Sequence, residues 1–230
     1  MTTNLTFAGD RSLLVEFGKE PTEEIRLRVS RLTSILIGNP SHGILNVHPA
    51  YTSVLVSFDP LKVSPTDAKQ LLEGYLNDLG SVALPEARTV EIPVCYGGEF
   101  GPDLEDVATI NKLSADEVIK IHSSGNYRVS FLGFSPGFPY LEGLPKEIAT
   151  PRLETPRISI PAGSVGIAGN QTGIYPSSTP GGWRIIGRSP MRLFNPDKDP
   201  PTLLRMGDKV KFVSVNLDDS VKFKLKPGEC

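Results

Sequence analysis

The chain has 230 residues, 39% hydrophobic and 22% charged, and its 24 Lys and Arg against 26 Asp and Glu leave a formal net charge of −2. That balance argues against a nucleic-acid binder working by phosphate neutralisation and against a basic membrane-surface protein, and no apolar run approaches the roughly 20 residues of a membrane span. The opening MTTNLTFAGDR has no basic n-region or apolar core, and Cys95 and Cys230 make neither a disulfide framework nor a metal spacing, so the expectation is a soluble, reduced, cytoplasmic protein.

Leu5–Ala8 and Leu13–Phe17 read as strands around the turn Gly9-Asp10. Residues 22–37 place Ile25, Val29, Leu32, Ile35 and Leu36 at helical spacing, with Glu23 and Glu24 in the first turn and Gly38 then Pro40 as the stop. Ile44–His48 and Ser53–Phe58 are two further strands. Ser64-Pro65-Thr66-Asp67 starts a second helix, whose stripe is Leu71, Leu72, Tyr75, Leu76 and Leu79, with Gly80 as its end. The order is ββαββα, a small α+β domain over residues 1–85. After a linker, Val90–Cys95 is a strand, and Leu104–Ile110 and Ser114–His122 are short helices, the latter opened by the capping box Ser114-Ala115-Asp116-Glu117. Tyr127–Phe134 is a strand, and from there to Val215 the signal is strand and turn.

Residues 1–90 hold 6 Gly and 6 Pro, whereas residues 133–190 hold 10 Gly and 9 Pro. The second stretch is threaded with Phe134, Phe138, Tyr140, Ile158, Val165, Tyr175, Trp183 and Ile186, which disordered tracts lack. It therefore reads as short strands joined by tight turns, a barrel or sandwich pattern over residues 86–230.

Gly133-Phe134-Ser135-Pro136-Gly137 matches the nucleophile-elbow pattern, but Pro136, Gly137 and Pro139 forbid the helix that must follow. His42, His48 and His122 all precede the serine. Gly163, Gly166 and Gly169 fit neither a dinucleotide fingerprint nor a Walker loop and read as strand bends. His42 and His48 have no neighbours suited to a metal site. His122 falls at a helix C-terminus, where a cation is favoured, and Cys95 reads as a small buried hydrophobe.

The remaining polar constellation is Arg152 and Arg157, Gln171 and Thr172 with Tyr175, and Gly181-Gly182-Trp183. The arginine forks suit a carboxylate or phosphate, the amide and hydroxyl could fix an amide ligand, and the aromatics could wall a pocket. Equally, the arginines could pair with Glu154 or Glu142 at the surface while the aromatics fill a core.

Glu91–Asp103 (EIPVCYGGEFGPD), Leu132–Leu141 (LGFSPGFPYL), Pro151–Arg157, Pro161–Gly169, Gln171–Pro176, Pro180–Trp183 and Ile186-Gly187-Arg188 together resemble the KipI family, also called allophanate hydrolase subunit 1 or PxpB, the B component of 5-oxoprolinase. Pro49–Asp59 extends the resemblance into the first domain, and Ser189-Pro190 stands where the family usually has Thr-Pro. The resemblance implies a cyclophilin-like β-barrel for the second domain. It also implies a non-autonomous subunit of an ATP-dependent 5-oxoprolinase, working with a KipA-type chain and a LamB/YcsF-type chain to open 5-oxoproline to L-glutamate. Arg152, Arg157, Gln171, Thr172, Tyr175 and Trp183 are then the expected substrate-binding residues. The same resemblance reaches an inhibitor of a sporulation histidine kinase and the urea carboxylase/allophanate hydrolase system, so those roles stand as alternatives.

Overall fold

A computed structural model describes residues 3–39 and 43–216, so His42 and Cys230, named above, lie outside the described residues. The chain divides into two compact units, residues 1–86 and 87–230. No described helix is long and apolar enough to cross a membrane.

The first unit contains, in order, β1 (Asn4–Phe7), β2 (Ser12–Glu16), α1 (Glu23–Gly38), β3 (Ile44–Pro49), β4 (Ser53–Phe58) and α2 (Pro65–Asp78). Its four strands form one antiparallel sheet in the order β1-β2-β4-β3. Period-two alternation sends Leu13 and Val15 of β2, and their partners Val56 and Val54 of β4, to the same buried face. Ile25, Val29, Leu32 and Leu36 of α1 and Leu72 of α2 are buried as the sheet's counterpart. Each such side chain contributes about 1.5–3 kcal/mol. Thr22 caps α1 by accepting from the Ile25 N–H, and Ser64 caps α2 by accepting from the Asp67 N–H at 3.1 Å, with Pro65 in the first turn.

The second unit begins with β5 (Thr89–Tyr96), α3 (Leu104–Asn111), α4 (Ala115–Ser124), β6 (Tyr127–Leu132) and β7 (Pro139–Glu142). It continues through β8 (Arg157–Ile160), β9 (Ser164–Ala168), β10 (Gln171–Ile174), β11 (Thr179–Gly181), β12 (Arg184–Arg188) and β13 (Lys209–Ser214). Seven strands close a barrel in the order β10-β7-β6-β13-β5-β12-β9, while β8 and β11 pair as a separate two-stranded ribbon. Among the described residues, β5 and β13 run parallel and the other barrel pairs are antiparallel. The barrel is filled by Ile92, Val94, Val129, Leu141, Val165, Ile167, Ile174, Ile186, Val210 and Phe212, with Val107 and Val118 of the two helices packed into the same cluster. The capping box at Ser114 is complete: Ser114 accepts from the Glu117 N–H, and the Glu117 carboxylate accepts from the Ser114 N–H at 2.7 Å.

Candidate functional site

A second, smaller cluster, Phe138, Ile160, Ala168, Tyr175, Trp183 and Ile185, is built almost wholly from the glycine- and proline-rich stretch. Its rings meet edge to face. Phe138 lies 5.2 Å from Tyr175, 5.4 Å from Trp183 and 5.1 Å from Tyr140, all at steep angles, the arrangement aromatic quadrupoles favour. Glycine is what lets them approach. A Cβ on Gly181 would stand 2.5 Å from the Tyr175 hydroxyl, and one on Gly173 would stand 2.9 Å from the Pro139 carbonyl oxygen and 3.1 Å from Trp183.

These rings wall a hollow of about 120 Å³, whose lining includes Phe134, Phe138, Tyr140, Tyr175, Trp183 and Arg152. Arg152 is held there through the backbone on both sides of it. The Pro151 carbonyl accepts from Arg184 Nε at 3.0 Å, and the Leu153 N–H donates to the Gly182 carbonyl at 2.8 Å. One guanidinium thus overlooks an otherwise aromatic recess. Burial pushes the Tyr175 phenol up to about 12, against the opposing pull of a hydrogen bond with the Trp183 backbone and the nearby Arg152 and Arg157 charges. At neutral pH it is a hydrogen-bond donor.

Phe134 stands at the mouth, 64% exposed, 5.5 Å from Phe138 and 6.4 Å from Tyr175. Its φ of +67° is a left-handed conformation that a bulky side chain rarely adopts. The loop around it bonds to itself: the Gly133 N–H donates to the Phe138 carbonyl at 3.1 Å and the Phe138 N–H to the Ser135 carbonyl at 3.0 Å. The Ser135 hydroxyl is buried without a partner. The chain after it enters β7, not the helix a nucleophile elbow requires.

Of the six residues expected to bind substrate, the structure brings Arg152, Tyr175 and Trp183 together at the hollow. Arg157, Thr172 and Gln171 do not line it. Arg157 holds the buried Asp103 carboxylate in a two-pronged bridge at 2.9 and 2.6 Å, and Asp103 also accepts from the Ile185 N–H at 2.6 Å. That bridge joins the β8–β11 ribbon to β12 beside Trp183. Gln171 opens β10 half-buried, opposite Ala168.

Thr172 is fully buried, and it exposes a correction concerning His122. The helix-terminal position suggests a cation there. In the structure the ring is wholly buried, with Nδ1 2.8 Å from the Tyr96 hydroxyl and Nε2 3.1 Å from the Thr172 hydroxyl. The Thr172 hydroxyl donates to the Gly166 carbonyl at 2.9 Å, so it accepts from an Nε2–H, and Nδ1 accepts from Tyr96. This is a neutral imidazole, and burial lowers its pKa to about 3.

Sequence reasoning missed Phe138 and Tyr140 as walls, and Asp103 as the partner of Arg157. The alternating aromatics of Phe134–Tyr140 are a usable signal for the walls. Nothing local marks Asp103, which lies 54 residues from Arg157. Among the described residues, no group of three or more His, Cys, Asp or Glu gathers as a metal site.

The family model for the carboxyltransferase domain, subdomain C and D, matches residues 3–204. The B component of 5-oxoprolinase from Bacillus subtilis (strain 168) is 49% identical over 226 residues, covering 94% of each chain. Its counterpart in Escherichia coli O157:H7 is 42% identical over 205 residues, covering 89% of this chain and 93% of its own. The crystal structure of TTHA0988 superposes with a TM-score of 0.79 at 38% identity, covering 90% of this chain and 40% of that one. With near-complete coverage at such identity, the chain belongs to the PxpB family, the B components of 5-oxoprolinase.

Proposed function

We propose that this chain is the B component of a cytoplasmic, ATP-dependent 5-oxoprolinase, acting with a KipA-type chain and a LamB/YcsF-type chain to hydrolyse 5-oxoproline to L-glutamate. The observation that carries the site assignment is the placing of Arg152 over the aromatic hollow of about 120 Å³. The substrate is a small ring bearing one carboxylate: an arginine fork matches the carboxylate, and edge-on aromatic walls match the flat lactam. The Tyr175 hydroxyl is a protonated donor within that wall, suited to the lactam oxygen.

An unstrained lactam is a poor electrophile, and ATP supplies its activation at the amide oxygen. The contribution of this chain is to bind and orient the ring and to exclude water from its apolar face. Arg157 and Asp103 act one step back, fixing the ribbon whose Gly181 completes the lining.

The test is ATP-dependent glutamate formation from 5-oxoproline by the two partner chains, with and without this chain, followed by Arg152→Ala. Turnover is expected only when all three are present. Arg152→Ala is expected to raise KM for 5-oxoproline about tenfold or more, the loss of one charge-assisted pair. Full turnover without this chain would overturn the subunit role, and an unchanged KM in Arg152→Ala would overturn the site.

A further inference from the structure

The barrel is closed unevenly. β13 pairs with β5 over Lys209–Ser214, but with β6 through only two residue pairs, Lys209 with Arg128 and Val210 with Tyr127. Val210 and Tyr127 are buried in the barrel, so by strand alternation Lys209 and Arg128 share the outer face. Two cations therefore stand directly opposed across a short seam of the barrel, an arrangement that by itself weakens a ladder.

Two of the three nearby carboxylates are engaged with other cations. Glu91 is engaged with Lys211 at 3.3 Å. Asp208 is bound in a two-pronged bridge by Arg88 and accepts the Arg205 N–H. Glu142 lies opposite Arg128 on β7. Among the described residues, neither Arg128 nor Lys209 makes an ion pair.

Beyond the two pairs, Asn126 and Gly125 lead back toward α4 and leave a cavity of about 420 Å³ lined by Thr89, Asn126, Arg128, Lys209 and Lys211, among others. It shares no lining residue with the aromatic hollow. Three carbonyls near the end of α4, which would repel an anion, are already occupied. Lys120 and Ile121 accept from the Ser123 and Ser124 hydroxyls, and His122 accepts from the Tyr127 hydroxyl at 2.8 Å.

We propose that this cavity binds a phosphate-class oxyanion, free or carried on a small molecule, between Arg128 and Lys209. An arginine fork and an ammonium facing one another suit a group with several acceptor oxygens, and the Thr89 hydroxyl and Asn126 amide are neutral donors in the same lining. The bound anion turns the opposed cations into a clamp on the β6–β13 seam. The inference stands on the barrel alone and does not depend on the lactam site.

The experiment is thermal unfolding of the full chain at constant ionic strength in chloride, with inorganic phosphate, ADP or adenosine added, for the parent, Lys209→Gln and Arg128→Gln. Phosphate or ADP should raise the parent's Tm by a few degrees at saturation. Either substitution should weaken the effect about tenfold in ligand concentration, and in chloride alone Lys209→Gln should unfold no earlier than the parent. A shift with both phosphate and ADP assigns the free anion, and one with ADP but neither phosphate nor adenosine assigns a carried phosphoryl group. No shift, an equal shift with adenosine, or shifts unaltered in both variants would overturn the proposal.

Discussion

Asp103 receives three hydrogen bonds from two separate parts of the chain: two from the Arg157 guanidinium and one from the Ile185 N–H. The carboxylate is buried while the Arg157 side chain is one-third exposed. The pair is therefore stronger than a surface bridge yet still partly screened. Arg157→Ala leaves a buried carboxylate with the Ile185 N–H as its remaining partner and is expected to cost about 1–3 kcal/mol in urea unfolding. Arg157→Lys should recover only part of this, because an ammonium cannot make the two-pronged contact. A double-mutant cycle with Asp103→Asn should give a coupling of about 1 kcal/mol or more. Wild-type stability in Arg157→Ala would refute the structural role and return Arg157 to the ligand-binding groups.

At the scale of elements, α4 is tied to the barrel by its last residues. His122 bridges Tyr96 of β5 to Thr172 of β10, and its ring lies 4.5 Å from that of Phe212 of β13, tilted by 33°. In the unfolded chain this imidazole protonates near pH 6.5, but in the fold only near 3. The unfolded state therefore holds more protons between those values, and stability must fall as the pH drops through that window. The fold is spared this penalty above about pH 6.5 and loses up to about 1.4 kcal/mol per unit below it. His122→Gln is expected to be less stable than wild type at about pH 7.5, having lost a matched network, yet to lose less stability on acidification to about pH 5.5. Parallel pH profiles for the two proteins would sink this assignment.

The same helix shows where sequence legibility ends. Its start is readable because the Ser114 cap and Glu117 are three residues apart and satisfy each other locally. Its histidine is not, because the partners that neutralise it come from 26 residues before and 50 residues after it. Likewise, alternation identifies β5 and β6, and density of turns identifies a β-rich second unit, but no local pattern dictates that β13 slots between them, parallel to one and antiparallel to the other. The candidate site divides in the same way. Arg152, Tyr175 and Trp183 have the chemistry of a binding site and meet at one hollow, whereas Arg157 and Thr172 have the same chemistry and are drawn to Asp103 and His122.

For the whole molecule, the hollow's inventory sets what the chain can do alone. Arg152 donates but cannot act as a base, Trp183 donates only, and the Tyr175 phenol, pushed up to about 12, is a negligible base at neutral pH. Opening an unstrained amide needs both an activated carbonyl and a base to draw a proton from water. A hollow of about 120 Å³ also leaves no room beside a lactam for a nucleotide. Held without the rest of its machinery, 5-oxoproline should bind weakly, with a Kd on the order of millimolar, and remain intact. The chain alone, supplied with ATP and 5-oxoproline, is therefore expected to yield neither glutamate nor ADP above background. The two partner chains should restore both products in equal amounts. Glutamate from the isolated chain would mean that a base and a nucleotide site lie elsewhere on its own surface, and the aromatic hollow would lose its claim to the reacting ring.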